Sequence, residues 1–226
     1  MFEVTPEIIL YEDDVLLIAN KPAGLPAQGT DDPKKDHFYG ALKRYLNKRE
    51  HKKNVYLALH HRLDSWTSGP MIFGKKKEFN KAIADLFKEK KIEKTYLAVV
   101  EKLSRETIPK TWICEEAIKT KRQGKFLIAQ CDSRGDSAST EFIVMKEAAD
   151  YAIIECRPRT GRLHQIRVHL AKYHLPVWAD FVYGKKKPNA RMMLHSWKLS
   201  FAHPKTKKIV FIEAPIPEEF NSFINT

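Results

Sequence analysis

The chain has 226 residues, 43% hydrophobic and 11% aromatic, which suits one large folded domain with a substantial core and excludes a disordered polar segment. Its 40 Lys and Arg against 28 Asp and Glu give a formal charge of +12, which points to a polyanionic partner, nucleic acid being the simplest. Cys114, Cys131 and Cys156 form no Cys-x-x-Cys pair and argue against a disulfide framework or zinc ribbon. No apolar run approaches membrane-spanning length, and Met1-Phe2-Glu3-Val4 lacks the basic start of a secretory signal, so the chain is expected to be cytoplasmic, with no membrane partner.

In chain order, Ile8 to Asn20 reads as a strand, an acidic turn at Glu12-Asp13-Asp14 and a second strand through Val15-Leu16-Leu17-Ile18-Ala19, ended by Lys21-Pro22-Ala23-Gly24-Leu25-Pro26. Phe38 to Leu46 has helical spacing. Val55 to His60 and Pro70 to Phe73 read as strands on either side of a polar loop. Between Glu78 and Lys90, the positions Phe79, Ile83, Leu86 and Phe87 share one helix face. Thr95 to Val100, Thr111 to Ile118, Lys125 to Cys131, Ala138 to Met145 and Tyr151 to Cys156 are strand-like runs separated by turns, a spacing that suggests an antiparallel meander. Leu163, Ile166 and Leu170 are spaced for a helix, and Met192 to Phe201 and Lys208 to Glu213 supply closing strands. The economical reading is one α+β domain over residues 1–226, a mixed, mostly antiparallel sheet flanked by helices and loops, with polar segments 28–37 and 184–190 as mobile loops.

The loop His61-Arg62-Leu63-Asp64-Ser65-Trp66-Thr67-Ser68-Gly69 places a carboxylate two residues from a guanidinium, after an apolar segment. Such an acid tends to stay ionised and can serve as nucleophile or base; the plainer reading is a turn-forming Asp bonded to nearby amides. Basic clusters recur, among them Lys34-Lys35, Lys75-Lys76-Lys77, Lys119 to Arg122 and Lys185-Lys186-Lys187, beside aromatic residues such as Tyr183. Singly each reads as solvated surface; together they favour a face that follows phosphates. His164 and His169 lie five apart, off a common helix face, and His60-His61 point different ways in an extended segment, so packing roles are expected for them rather than a metal site.

The nine-residue string resembles the RluA-type pseudouridine synthases, whose pattern is His-Arg-Leu-Asp-x-x-Thr-Ser-Gly and whose Asp is catalytic, a role the resemblance carries to Asp64. Arg62 resembles the arginine that enters the space left by the extruded nucleotide, with a plain surface arginine as the alternative; His61 lies beside it as an RNA-binding candidate. Tyr96, in Lys94-Thr95-Tyr96, matches a Lys-x-Tyr string whose tyrosine stacks on the target base and is a suspected general base; in an apolar strand it also reads as core filler. Arg159-Thr160-Gly161-Arg162-Leu163-His164-Gln165-Ile166-Arg167-Val168-His169 resembles Thr-Gly-Arg-x-His-Gln-Ile/Leu-Arg-x-His. There Arg167 would be the buried basic residue that pairs with the catalytic Asp, keeping it ionised. Arg162 and His164 are expected to bind RNA; alternatively Arg162 and Arg167 hold phosphate at a helix start without catalysis.

Asn20-Lys21-Pro22-Ala23-Gly24-Leu25 resembles the family's first motif, a structural turn, and Leu194-His195-Ser196-Trp197 opens the last. The sequence departs from the pattern at Pro70, where Leu is usual, at Gln28, where His is frequent, and at Trp178-Ala179-Asp180, which replaces Val-Gly-Asp ahead of Tyr183-Gly184. No N-terminal S4-type domain is expected, since the pattern starts about ten residues in. The resemblance implies a pseudouridine synthase fold and a monomeric enzyme without cofactor or metal, turning uridine of ribosomal or transfer RNA into pseudouridine. The alternatives weighed are a non-catalytic RNA-binding or folding protein using the same basic cleft, and a carboxylate hydrolase, disfavoured because the motifs supply one acid where such enzymes pair two.

Overall fold

The computed structural model describes all residues except Asp31, Pro33, Arg105, Lys125 and Thr226, and all described side chains except that of Phe126. Its elements run β1 (Ile9–Glu12), β2 (Leu16–Lys21), α1 (Phe38–Arg49), β3 (Ala58–Leu59), β4 (Gly69–Gly74), α2 (Asn80–Lys88), β5 (Glu93–Glu101), β6 (Thr111–Cys114), β7 (Ile118–Gln123), β8 (Phe126–Cys131), β9 (Thr140–Glu147), β10 (Tyr151–Pro158), α3 (Gln165–Lys172), β11 (Leu194–Ala202), β12 (Ile209–Glu213) and α4 (Asn221–Ile224). This is the expected α+β class with antiparallel pairing. The chain divides into two compact units, Met1–Glu93 with Lys198–Ala214, and Lys94–Trp197 with Pro215–Thr226.

In the first unit the strand order is β1-β2-β4-β3. The continuous apolar run of β2 has no polar face because both faces are covered. On one side Leu16, Ile18 and Ile72 meet Ile83 of α2 together with Leu199, Phe201, Val210 and Ile212 of the β11–β12 hairpin. On the other, Phe73 takes the rings of Phe38 and Tyr39 from α1, 6.1 and 6.4 Å between centroids. Helix α2 presents Phe79, Ile83, Leu86 and Phe87 to the core, as their spacing requires. The strand expected over Val55 to His60 shrinks to two residues. Tyr39 Oη donates to Leu57 O and Val55 N donates to Asn47 Oδ1, so side chains of α1 take the backbone groups a ladder would use. Pro70 is accommodated within β4 because β3 pairs only at Phe73 and Gly74, leaving Pro70 without a β3 partner.

In the second unit β5, β10, β9 and β6 follow one another across an antiparallel sheet. Alternation sorts its residues: Ala98, Val100, Ala152, Ile154 and Cys156 face Ile166 and Leu170 of α3, while Leu97, Val99, Tyr151 and Ile153 face Phe220 and Phe223 near the C-terminus. The run Thr111 to Ile118, expected as one strand, is two: β6 ends at Cys114 and β7 begins at Ile118, in a hairpin with β8. The strand expected from Lys125 begins at Phe126, Lys125 itself being outside the described residues; so are Asp31 and Pro33 in the expected loop 28–37. The root of the hairpin is a close backbone crossing. Ile118 exchanges two hydrogen bonds with Asp136, both 2.9 Å, and a Cβ on Gly135 would stand 2.3 Å from the Ile118 carbonyl carbon and 2.6 Å from Lys119 N.

Those contacts are backbone, which cannot swing away as a side chain can. Gly135→Ala is therefore expected to lower stability by about 1–3 kcal/mol, read as a lower urea midpoint.

Candidate active site

In the first unit, the candidate loop lies at the end of the sheet where β2 finishes and β4 begins, Lys21 standing opposite Gly69 in the ladder. That register makes the segment after Lys21 a neighbour of the segment before Gly69. Lys21 is fully buried, and its ammonium donates to the carbonyls of Pro22, Leu25 and Ser65 at 2.8, 2.8 and 3.0 Å. One cation thus engages three carbonyl dipoles with its three donors and ties the 21–26 turn to the residue next to Asp64. Gly24, with φ of +84°, lets that turn pass under the Trp66 ring, a Cβ there standing 3.5 Å from it. Asp64 accepts Thr67 N through its own carbonyl at 3.1 Å, closing a tight turn, while its side chain remains half-buried and Thr67 and Ser68 are buried. Arg62 is exposed. His61 is held inside the fold: its Nε2 accepts the Ile72 N–H at 2.8 Å and its ring lies 4.6 Å from that of Phe87.

In the second unit, α3 begins at Gln165, one residue after His164 turns the chain with φ of +52°. The helix expected from Leu163 therefore starts two residues later. The Gln165 amide uses all four of its hydrogen-bonding valences. Its Oε1 accepts Thr160 Oγ1–H and Arg162 N–H at 2.7 and 3.0 Å, and its Nε2 donates to Ser139 O and Thr140 Oγ1 at 3.0 and 2.9 Å. The Thr160–Arg162 turn is thereby stitched to the start of β9, and Arg162 reaches outward with its Nε on Ser137 O at 3.1 Å.

Arg167 is buried, and its Nε and one Nη donate to the two oxygens of the fully buried Asp180 at 2.7 and 2.8 Å. Asp180 Oδ1 also accepts the N–H groups of Val182 and Tyr183 at 2.9 and 3.2 Å. The Tyr183 ring lies 5.0 Å from the guanidinium carbon, and its hydroxyl accepts Ala129 N–H at 2.8 Å and meets His164 Nδ1 at 2.8 Å. Ala179 precedes this acid with φ of +58°, the left-handed region where the resembled motif has Gly. An alanine there costs about 1 kcal/mol, offset by the bonds of Asp180.

Tyr96 opposes Cys156 across β5 and β10, half-buried at the edge of the core that includes Ile166. Lys94, on the same face of β5, has its pKa pushed down by burial and its Nζ 3.9 Å from where a Gly161 Cβ would be. His169 sits between Thr140 Oγ1 on Nδ1, 3.0 Å, and Glu116 O on Nε2, 2.9 Å. Since a carbonyl only accepts, Nε2 carries the proton, and burial holds the imidazole pKa below its usual value. The residues the motif reading overlooked are Asp180 as partner of Arg167 and Tyr183 as bridge to His164. Asp180 stands in a segment notable in sequence for its mismatch, and Tyr183 reads there as an aromatic beside the basic clusters. Among the described residues, no set of three His, Cys, Asp or Glu side chains is placed to hold a metal ion, and no helix is long and apolar enough to cross a membrane.

Residues 15–172 match the family described as RNA pseudouridylate synthase. The chain belongs to that family. It is 34% identical to "Ribosomal large subunit pseudouridine synthase C" of Buchnera aphidicola subsp. Acyrthosiphon pisum, over 96% of this chain and 70% of that protein. It is 31% identical to the Escherichia coli K12 protein of the same name, over 94% and 67%. In fold it is similar to human RNA Pseudouridylate Synthase Domain Containing 4, with a TM-score of 0.77 at 22% identity, covering 96% of this chain and 91% of that one. The RluA-type resemblance stands, and this pseudouridine synthase is an isomerase acting on uridine in RNA.

Two outcomes follow from the buried network of this synthase. Asp180→Ala leaves a buried guanidinium without its bidentate partner, so unfolding free energy should drop by about 3–5 kcal/mol in urea titration. His169 has a folded pKa below its unfolded one, so the unfolded chain takes up the proton first. Its contribution is complete above the unfolded value near 6.5 and is lost as pH falls through it. Urea midpoints at pH 8 and pH 5.5 should therefore diverge more in the wild type than in His169→Gln.

Proposed function

We propose that this chain forms pseudouridine in ribosomal RNA of the large subunit, with Asp64 as the carboxylate that acts at the sugar of an everted uridine. The reaction breaks the glycosidic carbon–nitrogen bond, turns the uracil over and joins the same sugar to ring carbon C5. C5 loses a proton, N1 gains one, and no electrons are transferred. Such a rearrangement requires no cofactor, and the reading assigns none, nor a metal. The working unit is taken as a single chain in the cytoplasm.

The observation that carries the reading is the placement of Asp64. The full nine-residue string is present, and its acid sits half-buried on a turn whose backbone is gripped by Lys21 and backed by Trp66 on Gly24. A carboxylate on a fixed backbone with an accessible side chain is what a positioned nucleophile or base requires. Exposed Arg62, two residues away, suits entry into the space an everted nucleotide leaves, because a planar cation can both stack and contact phosphate. Tyr96 is assigned to stack on the uracil and to help remove the C5 proton. Arg167 is assigned to hold the Asp64 carboxylate, and RNA contacts are assigned to Arg62, His61, Arg162 and His164, all by correspondence of their motif strings. The large-subunit target follows the names of the similar bacterial proteins.

Asp64→Asn keeps the size of the side chain and removes its charge. Pseudouridine formation in unmodified large-subunit RNA should fall by about 10⁴-fold or more, while the Kd for that RNA stays within about threefold. Turnover retained by the Asn variant would remove Asp64 from the mechanism. Absence of product from the wild-type protein on any cellular RNA would favour a binding or folding role instead.

A further inference from the structure

The turn from Val177 to Gly184 is fixed at nearly every step, yet it carries the phenyl ring of Phe181 outward. Asp180 N donates to Val177 O at 3.0 Å and Gly184 N to Asp180 O at 2.9 Å, while Asp180 Oδ1 takes the amides of Val182 and Tyr183. Tyr183 is tied down through its hydroxyl on both Ala129 N and His164. Between these anchors Phe181 is 52% exposed and Val182 37% exposed.

A single exposed apolar residue needs no explanation on an ordinary surface. Here the ring stands on a rigid turn whose buried side is the Arg167–Asp180 pair, and it is followed by two exposed lysines, Lys185, 3.8 Å from Glu101, and Lys186, with no acidic partner among the described residues. No more than about 14 Å of chain separates Phe181 from Lys185. An aromatic face on a rigid support beside exposed cations is the combination that binds single-stranded nucleic acid, since every base has a face to stack and every phosphate a charge to meet.

We propose that Phe181 is a stacking platform for an unpaired nucleobase of the RNA substrate, with Lys186, and Lys185 once released from Glu101, meeting the adjoining phosphates. The proposal rests on the reading of the chain as an isomerase of RNA uridine and adds a residue that helps select the substrate. Asp180 and Tyr183 are positioning residues in this account, since they hold the backbone from which the ring projects. The occupant is a nucleobase rather than a protein side chain because the chain carries a formal charge of +12 and the flanking residues are lysines.

The test uses the full chain and total RNA from cells lacking its gene, in which the site modified by the wild-type protein has first been mapped. Phe181→Ala and Phe181→Leu are expected to raise KM about tenfold while kcat at saturating RNA is unchanged, and Phe181→Trp to restore KM. Leucine keeps the apolar surface and loses the aromatic face, so it separates stacking from simple packing. Matching thermal melts for the three variants establish that the fold is intact. The double variant Lys185→Gln with Lys186→Gln should flatten the dependence of KM on salt. Wild-type KM in the Ala and Leu variants, or a Trp variant no better than Leu, overturns the proposal while leaving the isomerase reading intact. A wild-type protein that forms no pseudouridine in that RNA overturns both.

Discussion

The buried pair of Arg167 and Asp180 is the constraint on which the second unit turns. A guanidinium has no neutral form within reach of ordinary pH, so burying Arg167 on α3 obliges the fold to bring an anion to it. Ile166 and Leu170 commit the helix to the core of the sheet, and Arg167, next after Ile166, then points where Asp180 must be waiting. Everything about the 177–184 turn answers that demand: the left-handed Ala179, the amides of Val182 and Tyr183 on Oδ1, and the Tyr183 ring under the cation.

Lys21 solves the same problem by other means. Its ammonium donates to three carbonyl oxygens, so it pulls two separate stretches of backbone, the 21–26 turn and the Asp64 turn, toward each other. Carbonyl dipoles belong to the backbone, so bonding them requires the chain itself to converge. The Asp64 turn is shaped by this convergence, because one of the three oxygens belongs to Ser65. The Lys-Pro turn, read from sequence as structural support, is therefore a direct mechanical neighbour of the candidate carboxylate.

What could be read in the sequence followed from periodicity and from unusual residue strings. The β2 run, the apolar face of α2 and the alternation in β5 and β10 each present one pattern that only one local structure satisfies. Strand β7 escaped because Lys119, Thr120, Lys121, Arg122 and Gln123 are exposed on both faces; a two-stranded ribbon paired only with β8 leaves no alternation to detect. The segment Val55–Leu57 looked like a strand because its residues are apolar, but its backbone is bonded by Asn47 and Tyr39 side chains, which a pattern of hydrophobicity does not encode. Asp64 and Arg167 were singled out by their strings. Asp180 was not, since an acid serving a buried cation thirteen positions back has no periodic relation to it. The substitution of Ala for Gly before it was visible, and the positive φ at Ala179 shows what that glycine is for.

The excess of positive charge, which first suggested a polyanionic partner, is unevenly committed. Lys76 and Lys205 both bond Asp14, whose carboxyl they draw down to about 2, and Arg49 and Lys75 converge on Glu12 at 2.6 Å each. Arg44 is likewise engaged by Asp36. Surface pairs of this kind contribute little stability, yet they lower the local field, so the clusters that hold them offer a phosphate less than their count of lysines implies. On β7, Lys121 and Arg122 stand exposed with no acidic partner among the described residues. Each cation of that sort can displace a condensed counterion from RNA, whereas a lysine already paired must first give up its carboxylate. The distribution of unpaired charge, rather than the sum of +12, is what determines where this protein can hold a nucleic acid.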